Sequence, residues 1–449
     1  MSFCYEPAKN LDEEPIVMPK LTHPRYSNRS GWNAMLPSRI PRPSVNSDQQ
    51  VDYAIVGAGY TGLAVARRLH EIDPQARITV IEATTIGEGS SGRNSGFFST
   101  DVLTRYGAAQ SASMSAETSL AQTKLMKEAF AWLRATVVDN SIECGMQQTG
   151  AIRSAASDAG EAYVRRVKKV VEARNLPHTV LGREAIRDGT GADYYQYGLW
   201  LHNDWVIQPA MLIRGLADTL PESIVLYENS PVRNMHRDRT GWGLLTDGGL
   251  ICARTVVLAN NGYKLGYLKS RMTTIFTYAA ITEAVSEDDI GFLGQWPTWG
   301  MVPAHRAGTT TRRITRDRLM VRSLHSLTEI PNATVERQLR ERFVRRWPGL
   351  RHVSFEHVWG GAISFTNNAA PWWGQIEDGL YASTGCNGSG IIKCTMLGRR
   401  LAEIIRRIGH PDEVTSAMGV ANWMVPDPFR TIGFHIISAM ESRKAGLES

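Results

Sequence analysis

The chain has 449 residues, enough for about two to three domain-sized units, and its 43% apolar and 21% charged residues are ordinary for a globular protein. A formal charge of +6 over that length suits an anionic substrate or cofactor but is too mild for a nucleic-acid footprint. No apolar run approaches the ~18 residues of a membrane span.

Met1 to Asn10 are polar, without the basic region and apolar core of a secretory signal. Five scattered cysteines, Cys4, Cys144, Cys252, Cys386 and Cys394, form no CxxC pair and no metal-ligand spacing. The expectation is a cytosolic protein in a reducing compartment, without a metal site.

Residues 1–50, rich in Pro, Ser, Asn and Arg, read as an extended arm. Val51 to Val56 is a β-branched strand, and Thr61 to Glu71 is helical, with Leu63, Ala66 and Leu69 at core spacing. Asp73-Pro74 ends that helix, and Arg77 to Glu82 is a second strand, completing a right-handed βαβ unit. The turn after the first strand, Gly57-Ala58-Gly59-Tyr60-Thr61-Gly62, matches G-x-G-x-x-G where a dinucleotide needs it. Gly57 permits the tight turn, Gly59 lets the backbone approach a pyrophosphate, and Gly62 allows close helix–strand packing. The helix N-terminus offers free N–H groups to the phosphates. Glu82, about twenty residues on, would accept the hydroxyls of an adenosine ribose. Ser90-Ser91-Gly92-Arg93-Asn94-Ser95-Gly96 follows where a nicotinamide enzyme would start another strand–helix repeat, and its donors suit a longer cofactor.

Helices are predicted over 115–137 and 158–174. In the second of these, Arg165, Arg166, Lys168 and Lys169 form the solvated face opposite Val164, Val167 and Val171. Strands are predicted over 223–227 and 255–259, with a hairpin of 242–246 and 250–253 turning at Asp247-Gly248-Gly249. Strands rich in Thr, Arg and aromatics then run to about Ser323. They are followed by a charged helix, 332–347, a strand, 379–383, and a helix, 390–409.

These motifs resemble the D-amino-acid oxidase-type flavoprotein family, most of all its gamma-glutamylputrescine oxidoreductase branch. The resemblance rests on Gly57 to Gly62, Glu82-Ala83, and Ser91 to Gly96, which is similar to that branch's SGRNGG segment. It extends through Val256 to Tyr263 (VVLANNGY), Trp359-Gly360-Gly361 with Thr366 and Pro371, Asp378 to Tyr381, and Gly385-Cys386-Asn387-Gly388-Ser389-Gly390. It implies an α/β protein, α+β overall, with a Rossmann-type FAD-binding domain built from residues 51–100, 200–270 and 355–415. A substrate domain with a mainly antiparallel sheet would comprise 101–199 and 271–354, and 416–449 would be a tail. Beyond the glycine turn and Glu82, the resemblance assigns to FAD Ala83, Ser91 to Gly96, Val232, Ala259, Asn260, Gly361, Gly385, Asn387, Gly388, Ser389, Gly390, Ile391, Ile392 and Lys393. Sarcosine oxidases tether flavin through a cysteine; here the matching position is about Gly361, so non-covalent FAD is expected. The family's oxygen-activating lysine has no counterpart in 294–318, which leaves O2 or another electron acceptor open.

The implied activity is oxidation of the C–N bond of an amine or amino acid. A gamma-glutamylputrescine or other polyamine derivative, or an N-substituted amino acid, would be the substrate. His305, Arg306, Arg312, Arg313, Arg316, Arg318 and Arg322 cluster within 302–322, and a guanidinium is suited to a substrate carboxylate. In an alternating strand Arg316, Arg318 and Arg322 share the face opposite Arg313. Arg313 is the leading substrate residue, with Arg316, His305, Trp299 and Tyr278 as further candidates. Phe429, Ile432, Ile436, Ile437 and Met440 recur at helical spacing, as a helix docked on the body or one touching the inner face of a membrane. The second expectation is accordingly a membrane-associated dehydrogenase of a cyclic or N-alkyl amino acid such as pipecolate, reducing quinone. A flavin-binding protein without turnover is the reading from another class.

Overall fold

The computed structural model describes residues 26–103, 115–237, 241–262 and 271–449; Cys4, Met1 to Asn10 and Tyr263 lie outside them. The described chain begins with helix α1 (Gly31–Ala34), strand β1 (Gln49–Val56), helix α2 (Tyr60–Ile72) and strand β2 (Ile78–Ile81). Strand β3 (Phe97–Phe98) precedes α3 (Ala116–Asp139), β4 (Ala151–Ala155), α4 (Asp158–Ala173), β5 (His178–Gly182) and α5 (Arg183–Thr190). Next come β6 (Tyr197–Leu201), β7 (Trp205–Val206), α6 (Pro209–Asp218), β8 (Ile224–Tyr227), β9 (Asn234–Arg237), β10 (Trp242–Leu245) and β11 (Leu250–Leu258). Strands β12 (Met272–Thr282), β13 (Trp299–Pro303), β14 (Thr310–Thr315) and β15 (Arg318–Ser326) lead to α7 (Asn332–Arg346). The chain closes with β16 (Phe355–Thr366), β17 (Trp372–Glu377), β18 (Leu380–Thr384), α8 (Gly390–Ile405), α9 (Pro411–Met418) and α10 (Phe429–Ala445).

Two eight-stranded sheets organise these elements. The first runs β17-β18-β11-β1-β2-β8, with β10 and β9 attached to β11. Its centre, β18-β11-β1-β2-β8, is parallel. Such strands are covered on both faces and so read as apolar runs: Ala54, Ile55, Val80, Val256 and Val257 are fully buried. Helices α2, α3, α6 and α8 pack on one side, where Leu63, Leu69, Leu133, Leu212 and Leu401 share one core. The predicted strands 250–253 and 255–259 are one continuous strand, β11. It pairs antiparallel with β10 through Leu250 to Ala253 and parallel with β1 between Ile251 and Leu258.

The second sheet runs β16-β12-β15-β14-β13-β4-β6-β5, antiparallel except where β13 meets β4. Strand β16 belongs here, although the family resemblance groups 355–366 with the cofactor segments. Helix α7 buries Val335, Leu339 and Phe343 against this sheet, with Trp299 stacked on Trp347.

Helix α4 buries Val164, Val167 and Val171, while Arg165 pairs with Glu161 in solvent, as its amphipathic pattern requires. The helix predicted to reach residue 409 stops at Ile405. The described part of the N-terminal arm is anchored by Trp32, 2% exposed. Cys252 is disulfide-bonded, so the scatter of the cysteines does not by itself indicate a reducing compartment. Among the described residues no helix is long and apolar enough to cross a membrane.

Candidate active site

A cavity of about 840 Å3 runs between the two sheets, from the glycine turn after β1 to the C-terminal helix. At its first end, Gly57 adopts φ +102°, and a Cβ at Gly62 would lie 1.9 Å from the Gly57 carbonyl oxygen. Only glycine therefore closes this turn. The Glu82 carboxylate accepts hydrogen bonds from the N–H of Ala58 (3.0 Å) and Thr84 (3.1 Å), which fix it at the cavity wall. Burial raises its pKa, and these hydrogen bonds oppose the rise. Gly57, Ala58, Gly59, Tyr60, Thr61, Glu82, Ala83, Val232, Ala259 and Asn260 all line the cavity; Gly62 sits behind them. The buried Ser383 hydroxyl, also at the wall, has no hydrogen-bond partner among the described residues.

The segment Ser91 to Gly96 is held from behind. The indole N–H of Trp359 donates to the carbonyl of Arg93 (3.1 Å), and that of Trp32 to Asn94 (2.7 Å). Arg312 donates to Ser95 (3.2 Å). In a trans peptide each pinned carbonyl turns the next N–H the opposite way, so the N–H groups of Asn94 and Ser95 point away from those donors. Burial pushes the Arg312 guanidinium down to about 9. Arg93 is a structural strap, bonded to the carbonyls of Glu88, Gly360 and Asn28 and to the Glu88 carboxylate. Ser91, Arg93, Asn94, Ser95 and Gly361 line the cavity, whereas Gly92 and Gly96 do not.

The late glycine-rich turn closes the opposite side. Gly385, Asn387 and Gly388 adopt positive φ. The Asn387 side chain accepts from the Thr366 N–H (2.9 Å) and donates to the carbonyls of Gly385 (2.8 Å) and Ala369 (3.1 Å). It braces the turn and leaves the N-terminus of α8 at the cavity, where Asn387, Gly388, Ser389, Gly390, Ile391, Ile392 and Lys393 form the wall and Gly385 lies behind. Lys393 is no solvated helix lysine: it is 8% exposed, and burial lowers its pKa. Its ammonium and the α8 dipole together favour negative charge in front of this turn. Cys394, beside it, is pushed up to about 12 by burial, which makes it an inert thiol.

The second sheet supplies the remaining wall, and here the structure places the predicted substrate residues differently. Arg313 lies outside the cavity: its guanidinium donates to the carbonyls of Leu293, Gly294, Trp296 and Arg316, tying a loop to the far face. Arg316 stands in the turn after β14, in solvent, paired with Glu287. Trp299 is core. Tyr278 and His305 reach the wall, but the Tyr278 hydroxyl is taken by Ser326 and the Ile330 N–H. His305 faces Glu441 (3.4 Å), and burial lowers its pKa.

Of the cluster, Arg322 and Arg306 also reach the cavity, and Arg306 is paired with Glu441. Arg322 stands opposite Thr310 on β14, and Val302 on β13 stands opposite Arg153 on β4. Because Met301 faces Thr311, Arg322, Thr310, Val302 and Arg153 form one row across the sheet, and all four line the cavity. The row spans three strand spacings, about 14 Å. Arg322 makes no hydrogen bond or ion pair among the described residues, and burial lowers its pKa. A buried guanidinium is stabilised by a paired, hydrogen-bonded anion.

Asp204, in the loop between β6 and β7, has no motif to announce it. It lines the cavity at 6% exposure, and burial lifts its carboxyl from 3.8 to about 6, with Arg153 opposing the rise. Its stabilising contribution is full below the unfolded pKa near 4 and is lost as pH rises through about 6. The loss across this range is worth roughly 3 kcal/mol. Asp204→Asn is expected to abolish this slope, so the melting-temperature difference between variant and native protein widens in the variant's favour from pH 4 to pH 6. A difference that stays flat over that range would contradict it.

The matching family model, "FAD dependent oxidoreductase" (DAO), covers residues 52–404. Gamma-glutamylputrescine oxidoreductase of Escherichia coli (strain K12) is 27% identical over 383 residues, 82% of this chain and 86% of that protein. The probable oxidoreductase OrdL of Rhizobium meliloti (strain 1021) is 24% identical, over 84% of this chain and 87% of that one. Among solved structures, glycine oxidase from Geobacillus kaustophilus superposes with a TM-score of 0.70 at 19% identity, over 84% of this chain and 99% of that chain. L-proline dehydrogenase from P. horikoshii gives 0.65 at 17%, over 85% and 100%. With the motif order, the two sheets and the cavity between them in place, the chain belongs to the DAO family of FAD-dependent oxidoreductases, which act on the C–N bonds of amines and amino acids.

Proposed function

We propose that the enzyme oxidises the C–N bond of a carboxylate-bearing amine, either an N-substituted amino acid or an amino-acid conjugate of a polyamine such as gamma-glutamylputrescine. Its FAD is held without a covalent bond. The observation that carries this reading is Arg322, a guanidinium without a partner among the described residues, in the same cavity as the dinucleotide turn.

The residues present fit the cofactor. Gly57 to Gly62 and the N-terminus of α2 would hold the diphosphate, Glu82 the ribose, and the N–H groups of Asn94 and Ser95 with the α8 turn the ring. Bound FAD supplies a two-electron acceptor for the hydride leaving the carbon next to nitrogen, after which the imine hydrolyses in water. Lys393 and the α8 N-terminus hold positive charge at the cavity and would favour negative charge on a flavin ring held there. Arg322 positions the substrate by its carboxylate, and the apolar wall excludes water. His325 stays neutral beside it: burial, reinforced by the fields of Arg322 and Arg306, lowers its pKa. No general base is required.

A quinone-linked dehydrogenase of a cyclic or N-alkyl amino acid is the second reading, favoured by the exposed apolar side of α10. Bleaching of the reconstituted flavin under argon, across paired substrates with and without a carboxylate, tests the first. Carboxylate-bearing amines should bleach it, whereas bleaching by the decarboxylated partner of each pair at an equal rate would reject the Arg322 reading. Peroxide formation in air then separates oxidase from dehydrogenase.

A further inference from the structure

Helix α10 has two working faces. At 100° per residue, Arg430, Phe434, Ser438 and Glu441 fall within an arc of about 80°, and all four line the cavity. This inner face is bound: Ser438 hydrogen-bonds His325 (2.7 Å), and Glu441 pairs with Arg306 (2.7 Å). Phe429, Ile432, Ile436 and Met440 occupy a second arc of about 80°, centred roughly 160° away. They are 67%, 53%, 56% and 49% exposed, and of the four only Phe429, in the first turn, also lines the cavity.

That outer stripe reverses the usual meaning of amphipathic spacing, in which the periodic apolar residues mark the buried side. Trp423, in the segment before the helix, is 57% exposed and, like Phe429, also lines the cavity. Contiguous apolar surface of this kind marks a contact site. Its charge pattern narrows the occupant. No acidic side chain falls in the outer arc, and Glu441 is turned inward. Arg443 continues the stripe in the last turn without an ion pair among the described residues, and Lys444 beside it, 3.8 Å from Glu441, is 62% exposed at its side chain.

We propose that this face lies on an anionic phospholipid surface, with α10 in the plane of the headgroups, its stripe and Trp423 in the acyl boundary, and Arg443 and Lys444 on lipid phosphates. A second copy fits less well. A two-fold contact would set Arg443 and Lys444 against the partner helix's N-terminus, where the helix dipole is also positive. The inference stands independently of the substrate.

The test uses flavin-loaded, full-length enzyme and sedimentation with vesicles of phosphatidylcholine alone or with phosphatidylglycerol. Native enzyme should pellet with the anionic vesicles and release as salt is raised. Ile432→Ser/Ile436→Ser/Met440→Ser, residues that do not line the cavity, should bind at least about tenfold more weakly at unchanged flavin content and melting temperature. Arg443→Gln/Lys444→Gln should lose several-fold on anionic vesicles alone. Native enzyme remaining in the supernatant at low salt, or equal binding by the triple variant, would overturn the proposal. So would a native dimer, seen by light scattering, that the triple variant splits while neither form binds vesicles.

Discussion

Arg322→Leu is expected to lower kcat/KM for a carboxylate-bearing amine by roughly 10²–10³-fold while flavin content stays native. Losing one partner of a desolvated, hydrogen-bonded charge pair costs about 2–5 kcal/mol, and each 1.36 kcal/mol is tenfold in rate. The native guanidinium has no partner to lose among the described residues, so folding should be little affected. Arg313→Ala gives the contrast: it strips the carbonyls of Leu293, Gly294 and Trp296 of their donor. The melting temperature should fall, while the enzyme that folds keeps its kcat/KM. Stopped-flow bleaching under argon with thermal melts reads both. If Arg322→Leu retains native kcat/KM, the carboxylate is held elsewhere.

Gly62→Val should give a colourless protein. A Cβ there would approach the Gly57 carbonyl oxygen to 1.9 Å, and the atom that must yield is backbone. Overpacking costs on the order of 1–3 kcal/mol even where side chains can move aside. Here the distortion falls on the turn proposed to take the diphosphate, so FAD affinity should drop by at least about 100-fold. Flavin absorbance after dialysis against excess FAD measures it, and native absorbance in the variant would place the diphosphate away from this turn.

The cofactor end of the cavity was legible because its signals are local. A glycine turn between a strand and a helix, with an acid about twenty residues on, needs no tertiary knowledge. The substrate end was not, because it depends on which strand face turns inward. Alternation correctly set Arg313 opposite Arg318 and Arg322, yet could not say that the Arg313 face packs toward the α7 core. Arg316 escaped the pattern altogether, since β14 ends at Thr315 and β15 begins at Arg318. Arg153, with Asp204 near it, comes to the same cavity as Arg322 only through pairings across four strands. In α10 the period was right and its customary meaning was inverted, because the helix covers a cavity rather than a core.

The three donors behind the Ser91–Gly96 segment come from distant parts of the chain: Trp32 from the arm, Trp359 from β16 and Arg312 from β14. The posture of that one loop therefore registers the integrity of the arm and of the second sheet at once. Yellow colour retained on warming becomes a gauge of the whole molecule, and pigment should escape when the substrate layer gives way, even if the Rossmann layer is still standing.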